Sequence, residues 1–247
     1  MTQPPVDERP IEKSAGINRS HDPSFFSKVG FCLLHLGSVL LCVYVVCGTG
    51  MQTLGGWIGQ SWTVADPVRG QLLVGAAVLY WVRHTVTLFY LLVRKVGWGE
   101  VIGLSLFMVI FELGLCLLGA GALRDQAVPV GLLDGVAIVL ILTGSFLNTG
   151  SEVQRKWWKR HPENKGHCYT EGLFAWSMHI NYFGDTVLFT GWCLLTASWW
   201  TLVLPVFMAS GFIFHHIPGL DAYLEERYGD EFVEYAKKTK KFMPLVY

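Results

Sequence analysis

Charge is scarce in this sequence. Charged residues make up 15% of its 247 positions, against about 25% in an ordinary soluble domain. Neither sign is in excess, because 19 Lys and Arg stand against 19 Asp and Glu. That balance gives no reason to expect nucleic acid or another polyanion as a partner. Cysteine pairing is also missing. None of Cys32, Cys42, Cys47, Cys116, Cys168 and Cys193 forms a C-x-x-C pair, and most sit in apolar runs, where a thiol acts as a small hydrophobe. A disulfide framework and a bound metal are therefore not expected. The nucleophile-elbow, H-E-x-x-H and Walker patterns are absent. Gly48-x-Gly50 and Gly119-x-Gly121 lack the third glycine and the preceding strand of a dinucleotide fingerprint.

Apolar residues fill the space that charge leaves. They reach 52%, with 10 Trp, 15 Phe and 9 Tyr, and mean hydropathy is +0.40. This composition fits a polytopic membrane protein. Four runs are long enough to cross a bilayer: residues 29–47, 71–93, 101–121 and 130–147. A fifth apolar region, 172–214, is too long for one span. The stretch 198–200 and Pro205 are expected to fold it into a helical hairpin. The expected fold is all-α, a bundle of about six transmembrane helices.

Basic residues orient the bundle. If the N-terminal tail is inside, 16 Lys and Arg lie in the tail, in loops 94–100 and 149–171, and in 215–247. Only Arg69 and Arg124 lie in the opposite loops. So skewed a split predicts both termini inside. The chain divides into a polar tail at 1–28, a transmembrane bundle at 29–214, and an inside-facing tail at 215–247. The tail at 1–28 has no apolar h-region, so no cleaved signal peptide is expected.

Polar groups within the spans need an account. Glu112 lies near the middle of the third span. It is either an acid that donates a proton at membrane depth or a structural partner of Arg83 or His84. His35 reads as a satisfied packing residue. At the inside end of the fourth span, Asn148 and Glu152 stand four residues apart on one helix face. Arg155, Lys156, Lys159 and Arg160 come next, with two indoles between them. Amide and carboxylate suit a ribose, amide or base, and the cations suit phosphates. Equally, the same cations suit anionic headgroups beside interfacial tryptophans. Then come Ser177, His179, Asn181, Tyr182 and Asp185, and later His215, His216 and Tyr223. Three polar clusters thus converge on one membrane face, where a soluble cofactor can meet a lipid-soluble substrate.

These residues carry a resemblance. Asn148/Glu152, Lys156/Lys159, Gly172-Leu-Phe174, Asn181-Tyr-Phe-Gly-Asp185, His215-His216, Tyr223 and Phe242-Met-Pro244 succeed one another as in the steroid 5-alpha-reductase superfamily. That superfamily also holds sterol reductases and isoprenylcysteine methyltransferases. Arg227-Tyr-Gly-Asp-Glu-Phe-x-x-Tyr235 is similar to a poorly characterised subgroup of it. The resemblance implies a membrane bundle whose reductase-like half starts near residue 130 and binds NADPH from inside. It implies an enzyme that reduces a C=C bond in a steroid-like or other lipid. Cofactor contacts are expected from Asn148, Glu152, Lys156, Lys159, Asn181, Asp185, His216 and Tyr223, with Glu112 as the catalytic acid. The chain departs from the pattern where many members read Arg-His-Pro-Asn-Tyr, because residues 178–182 here are Met-His-Ile-Asn-Tyr. Two alternatives remain open. One is an accessory subunit of a larger membrane complex that keeps the fold. The other, suggested by Glu225-Glu226, is an S-adenosylmethionine-dependent methyltransferase. Membrane lipids are expected partners. The endoplasmic reticulum is the expected membrane, with the mitochondrial inner membrane as the alternative.

Overall fold

A computed structural model describes residues 23–124 and 126–247. Most of the polar tail expected at 1–28 thus lies outside the described residues. The described chain is a bundle of α-helices without strands. Helix α1 (Phe25–Cys47) is followed by the short α2 (Gly50–Trp57), α3 (Pro67–Val86) and α4 (Trp98–Ala120). Helix α5 (Leu132–Ser145) runs through a π-helical turn into α6 (Ser151–Trp158). Helix α7 (Ile180–Leu195) then turns back into α8 (Val203–Gly211), α9 (Ile217–Tyr228) and α10 (Asp230–Lys238).

Five helical runs are long and apolar enough to cross a membrane: Phe25–Cys47, Pro67–Leu91, Trp98–Ala120, Leu132–Trp158 and Trp199–Tyr228. The sixth expected span is α7, which has 16 residues. It is short of a full crossing, at about 1.5 Å per residue. Its sides are packed rather than bathed in lipid: Ile180, Leu188, Phe189, Trp192 and Leu195 are all buried. The hairpin breaks at Ala197, which has a φ of 54°, and at the 3-10 turn Trp199–Leu202. Pro205 sits in the first turn of α8, where a missing N–H costs nothing, so it does not make the break. The boundary expected at 214–215 falls inside a continuous helical run.

The basic face collects the start of α1, the end of α3 and the start of α4. Ser27 Oγ donates to the Val96 carbonyl at 2.7 Å, and Lys28 Nζ to that of Leu92 at 2.7 Å. The opposite face is closed around Arg69, which is 1% exposed. Its guanidinium binds Asp66 at 3.1 Å, the Leu195 carbonyl at 2.9 Å, the Val128 carbonyl at 3.1 Å, and Asp134. One cation therefore ties α3, α5, the end of α7 and the 121–131 loop together. Arg124 adds bonds to the carbonyls of Gly119 and Thr196.

The closest helix contact is between α5 and α7, and glycine makes it. A Cβ on Gly184 would lie 2.6 Å from the Asn148 backbone nitrogen, and one on Gly144 would collide with that of Leu188. A Cβ on Gly191 would meet the Ala137 carbonyl at 2.5 Å. In a bilayer, where lipid is as apolar as leucine, such small residues let backbones approach and gain dispersion energy. Gly184→Ala should therefore force the pair apart and lower stability by about 1–3 kcal/mol. Gly75 faces open space. Gly75→Ala should be neutral or stabilising by up to about 1 kcal/mol. Melting temperatures of both variants in detergent, with helical circular dichroism as a folding control, check the contrast.

Candidate functional site at the basic face

Three of the long helical runs lose regular α geometry at the same end. Thr87–Leu91, Phe146–Gly150 and Phe212–His216 are π-helical. An inserted residue rotates the rest of the helix about its axis, and such turns often mark functional sites. Here one carries Asn148 and another carries His216.

Asn148 Nδ2 donates to the Asn181 carbonyl at 3.0 Å. Asn181 Nδ2 donates to Glu152 Oε1 at 3.0 Å. Glu152 also pairs with Arg155. The helix-face reading of Asn148 and Glu152 is thus realised, and both reach the first turn of α7. Asp185 is one turn further along α7 and pairs with Arg83 Nη2 at 2.6 Å.

The 159–179 loop and the C-terminal tail form the other wall. Gly172 has a φ of 58°, and a Cβ there would collide with Gln154 Oε1. That oxygen accepts from Leu173 N at 3.0 Å. The Phe174 carbonyl accepts from Tyr235 Oη at 2.6 Å. The Gly-Leu-Phe triplet is therefore a joint between α6 and α10. Next to it, His179 Nε2 meets Asp221 at 2.8 Å, and Lys241 meets the same carboxylate at 2.9 Å. Backbone bonds from Met178 N to the Lys240 carbonyl and from His179 N to that of Lys241 complete the latch.

Between these walls lies a cavity of about 50 Å³. Arg155, Lys159, Asn181, His179, Cys168 and the rings of Tyr169, Tyr228 and Tyr235 line it. Lys159 Nζ donates to Tyr228 Oη at 3.2 Å across it. Burial, reinforced by the Glu231 carboxylate, pushes the Cys168 thiol up to about 11. Burial also raises the Tyr235 and Tyr169 phenols. At neutral pH the thiol and both phenols are therefore uncharged, and the cavity's fixed charges are cationic.

The expected site residues separate into groups. Lys159 and Asn181 line the cavity. Asn148 and Glu152 hold Asn181 from behind. Lys156 points elsewhere: its amine binds the Tyr90 carbonyl and sits 4.1 Å from the Tyr90 ring centroid. Tyr223 Oη accepts from Arg227 at 2.9 Å. The His216 ring stands 5.9 Å from that of Phe212 and 6.4 Å from that of Tyr182.

Glu112 is not part of this cluster. It is 1% exposed, and it contacts His35 Nε2 at 2.7 Å and Ser38 Oγ at 2.5 Å. The pairing of Glu112 with Arg83 is corrected: α1 faces α4 at this depth, and Arg83 turns to α7. His35 correspondingly is a hydrogen-bonded partner rather than a packing residue.

Sequence reasoning named Arg155 and His179 only as members of polar clusters, without a cofactor contact, and passed over Tyr228, Tyr235 and Cys168 as site residues. The repeated Tyr spacing in 223–235 and the His before Asn181 were available signals. Nothing in the sequence marked Cys168.

Residues 101–239 match a family model described as protein of unknown function (DUF1295). The match covers more than half of the chain, from the first turn of α4 past the end of α10. The chain belongs to this family, which is related to steroid 5-alpha-reductase-like proteins. Over 90 residues it is 30% identical to a protein of Ustilaginoidea virens named probable O-methyltransferase ustE. That stretch is 36% of this chain and 32% of the relative, so the chain spans about a third of the curated relative it matches.

The thiol environment gives a direct check. Cys47 is exposed at the end of α1, whereas Cys168 is buried. A membrane-impermeant maleimide at pH 7–8 should label Cys47 and spare Cys168 in the folded protein. Because the Cys168 thiol is raised, its thiolate fraction should grow about tenfold per pH unit toward its pKa. Peptide mass spectrometry before and after denaturation reads both sites. Labelling of Cys168 at neutral pH to the extent of Cys47 would contradict this cavity.

Proposed function

We propose that this member of the DUF1295 family is a membrane-embedded enzyme that binds NADPH at its basic face and reduces a polarised C=C bond in a lipid-soluble substrate. The observation that supports it most is the donor set of one cavity. Arg155 and Lys159 stand at its rim, beside the Asn181 amide and three phenol rings. Cations suit phosphates, an amide can both donate and accept, and tyrosine rings can stack on a base. Among the described residues, no carboxylate lines this cavity.

Size sets a condition. An enclosed 50 Å³ holds no more than a few waters. A dinucleotide must therefore enter through the open side, with the Lys159–Tyr228 contact parted. In this reading Arg155 and Lys159 hold phosphate, and Asn181 orients the group that faces the membrane. The Glu152 carboxylate, accepting from Asn181 Nδ2, and Tyr182 N, donating to Asn181 Oδ1, fix the Asn181 rotamer, and the Asn148 amide holds its backbone carbonyl. NADPH, when bound, supplies the hydride. The substrate enters from the bilayer, in an endoplasmic-reticulum-type membrane as first choice and the mitochondrial inner membrane as second.

Methyl transfer from S-adenosylmethionine is the second reading, favoured by the relative named as an O-methyltransferase. Thermal unfolding of the purified protein separates the two. NADPH at about 100 times its dissociation constant should add about 2.7 kcal/mol. Arg155→Ala and Lys159→Ala should each weaken its binding about tenfold or more, because each removes a charge-assisted bond of about 1.5–3 kcal/mol. Stabilisation by S-adenosylmethionine alone would overturn the reductase reading in favour of methyl transfer. Stabilisation by neither would favour an accessory subunit of a larger membrane complex that keeps the fold.

A further inference from the structure

A second polar assembly lies deeper in the bundle, mostly outside the segment matched by the family model. Phe31, His35, Ser38 and Cys42 form one buried stripe of α1. His35 is 0% exposed and Glu112 1%. Ser38 Oγ donates to one Glu112 oxygen at 2.5 Å, and His35 Nε2 shares a proton with the other at 2.7 Å. The other nitrogen of that ring, Nδ1, has no partner among the described residues. The His84 ring lies 5.1 Å from the His35 ring, and its Nδ1 is likewise buried without a partner among them.

Tyr80 packs against both histidines, with ring centroids 5.7 Å from His35 and 4.3 Å from His84. The Arg83 guanidinium lies 4.9 Å from the Tyr80 ring centroid, with Nε and Nη1 buried and unpartnered among the described residues. Its Nη2 is held by Asp185 at 2.6 Å. Asp185 is partly exposed and stands one turn along α7 from Asn181. A row of titratable and polar groups thus leads from the candidate site to the middle of the membrane.

Hydrocarbon makes such groups expensive, and rows of acid and histidine at membrane depth serve as proton relays. An apolar packing role does not need two imidazoles that each leave a buried nitrogen unbonded, since each orphan costs about 1–3 kcal/mol. A purely structural ion pair does not need them either. An imidazole that takes a proton on one nitrogen and releases it from the other does need both nitrogens.

We propose that Glu112, His35 and His84 form an intramembrane proton relay that opens toward the basic face at the Arg83–Asp185 pair. The charged and titratable groups facing it are Cys42 from α1, Tyr80, Arg83 and His84 from α3, Glu112 and Cys116 from α4, and Asp185 from α7. The Arg83 charge is offset by Asp185, which keeps the inside end from repelling a proton outright. The step conserves atoms: a proton reaching His84 moves to His35 Nδ1, and His35 Nε2 releases its own proton to Glu112. The relay depends on the reductase reading only for the use of that proton, which would complete the reduction after hydride transfer.

The test reads exchange, not turnover. The protein in lipid nanodiscs is moved from H2O to D2O, and the Glu112 carboxyl band is followed by infrared spectroscopy. The band is assigned as the one lost in Glu112→Gln. The relay requires exchange within minutes in the unmodified protein. His84→Phe and His84→Gln should each slow it by about tenfold or more, the latter because an amide keeps the hydrogen bonds but does not titrate. Exchange lasting hours in the unmodified protein would overturn the relay, and this outcome needs no variant to fold. Equal rates in the unmodified protein and a folded His84→Gln variant would also overturn it. Failure of NADPH to bind would sink the reductase reading and leave the exchange result standing.

Discussion

The glycine contact between α5 and α7 is the constraint on which the rest of the basic face depends. Gly144, Gly184 and Gly191 bring two backbones closer than any side chain would allow. The Asn148 backbone nitrogen is itself one of the atoms that a Cβ on Gly184 would strike. The amide of Asn148 and the first turn of α7 are therefore positioned by the same contact. The Asn148–Asn181–Glu152 triad depends on it, because side chains this short reach across only where the helices nearly touch. The π turn at Phe146–Gly150 then changes the azimuth of α6 without a break in the helical run. That change carries Arg155 and Lys159 over the site rather than out into lipid.

Three buried ionisable groups among the described residues each meet a partner on another helix. Arg69 closes the outer face on Asp66 and Asp134. Arg83 joins α3 to α7 through Asp185. Glu112 joins α4 to α1 through His35 and Ser38. Removing one member of such a pair leaves an uncompensated charge, which costs far more than the pair contributes. The pairs act mainly as register pins. Lipid-facing packing is tolerant of rotation, and a paired buried ion is not.

Much of the membrane plan was legible in the sequence because it depends on quantities that add along the chain. Run length gave four of the five long helices and the first part of the fifth, Trp199–Tyr228, and the count of Lys and Arg pointed to the face that gathers the polar clusters. The pair Asn148/Glu152 was legible because four-residue spacing defines a helix face. What stayed hidden was azimuth. Sequence gives the depth of Glu112 and Arg83 but not which neighbour each one faces, so Arg83 and His84 were the structural partners offered for Glu112, and His35 was not. The same blindness hid the turn of Lys156 toward Tyr90. A π turn rotates everything after it, and no residue pattern here announces one. Cys168 and Tyr235 meet only because the tail folds back onto the 159–179 loop, a contact that no local periodicity encodes.

The tail latch and the cavity are linked by the same residues. His179 caps the start of α7 and also binds Asp221, and Asp221 binds Lys241. The helix that presents Asn181 is therefore fastened to the tail that carries Tyr228 and Tyr235. Any motion that widens a cavity of about 50 Å³ must move this wall, because the other wall is α6, which is continuous with a membrane helix and pinned by glycine packing. The bonds on that side are the Lys159–Tyr228 contact, the Asp221 carboxylate shared by His179 and Lys241, the Tyr235–Phe174 bond, and the backbone bonds from Met178 and His179 to the tail. The Lys159–Tyr228 contact is exposed, whereas His179 is buried and parting it from Asp221 leaves a buried polar group unpaired. The fold thus sets a wall continuous with a membrane helix against a wall built from the 159–179 loop and the folded-back tail, so any widening of the site must come from the second.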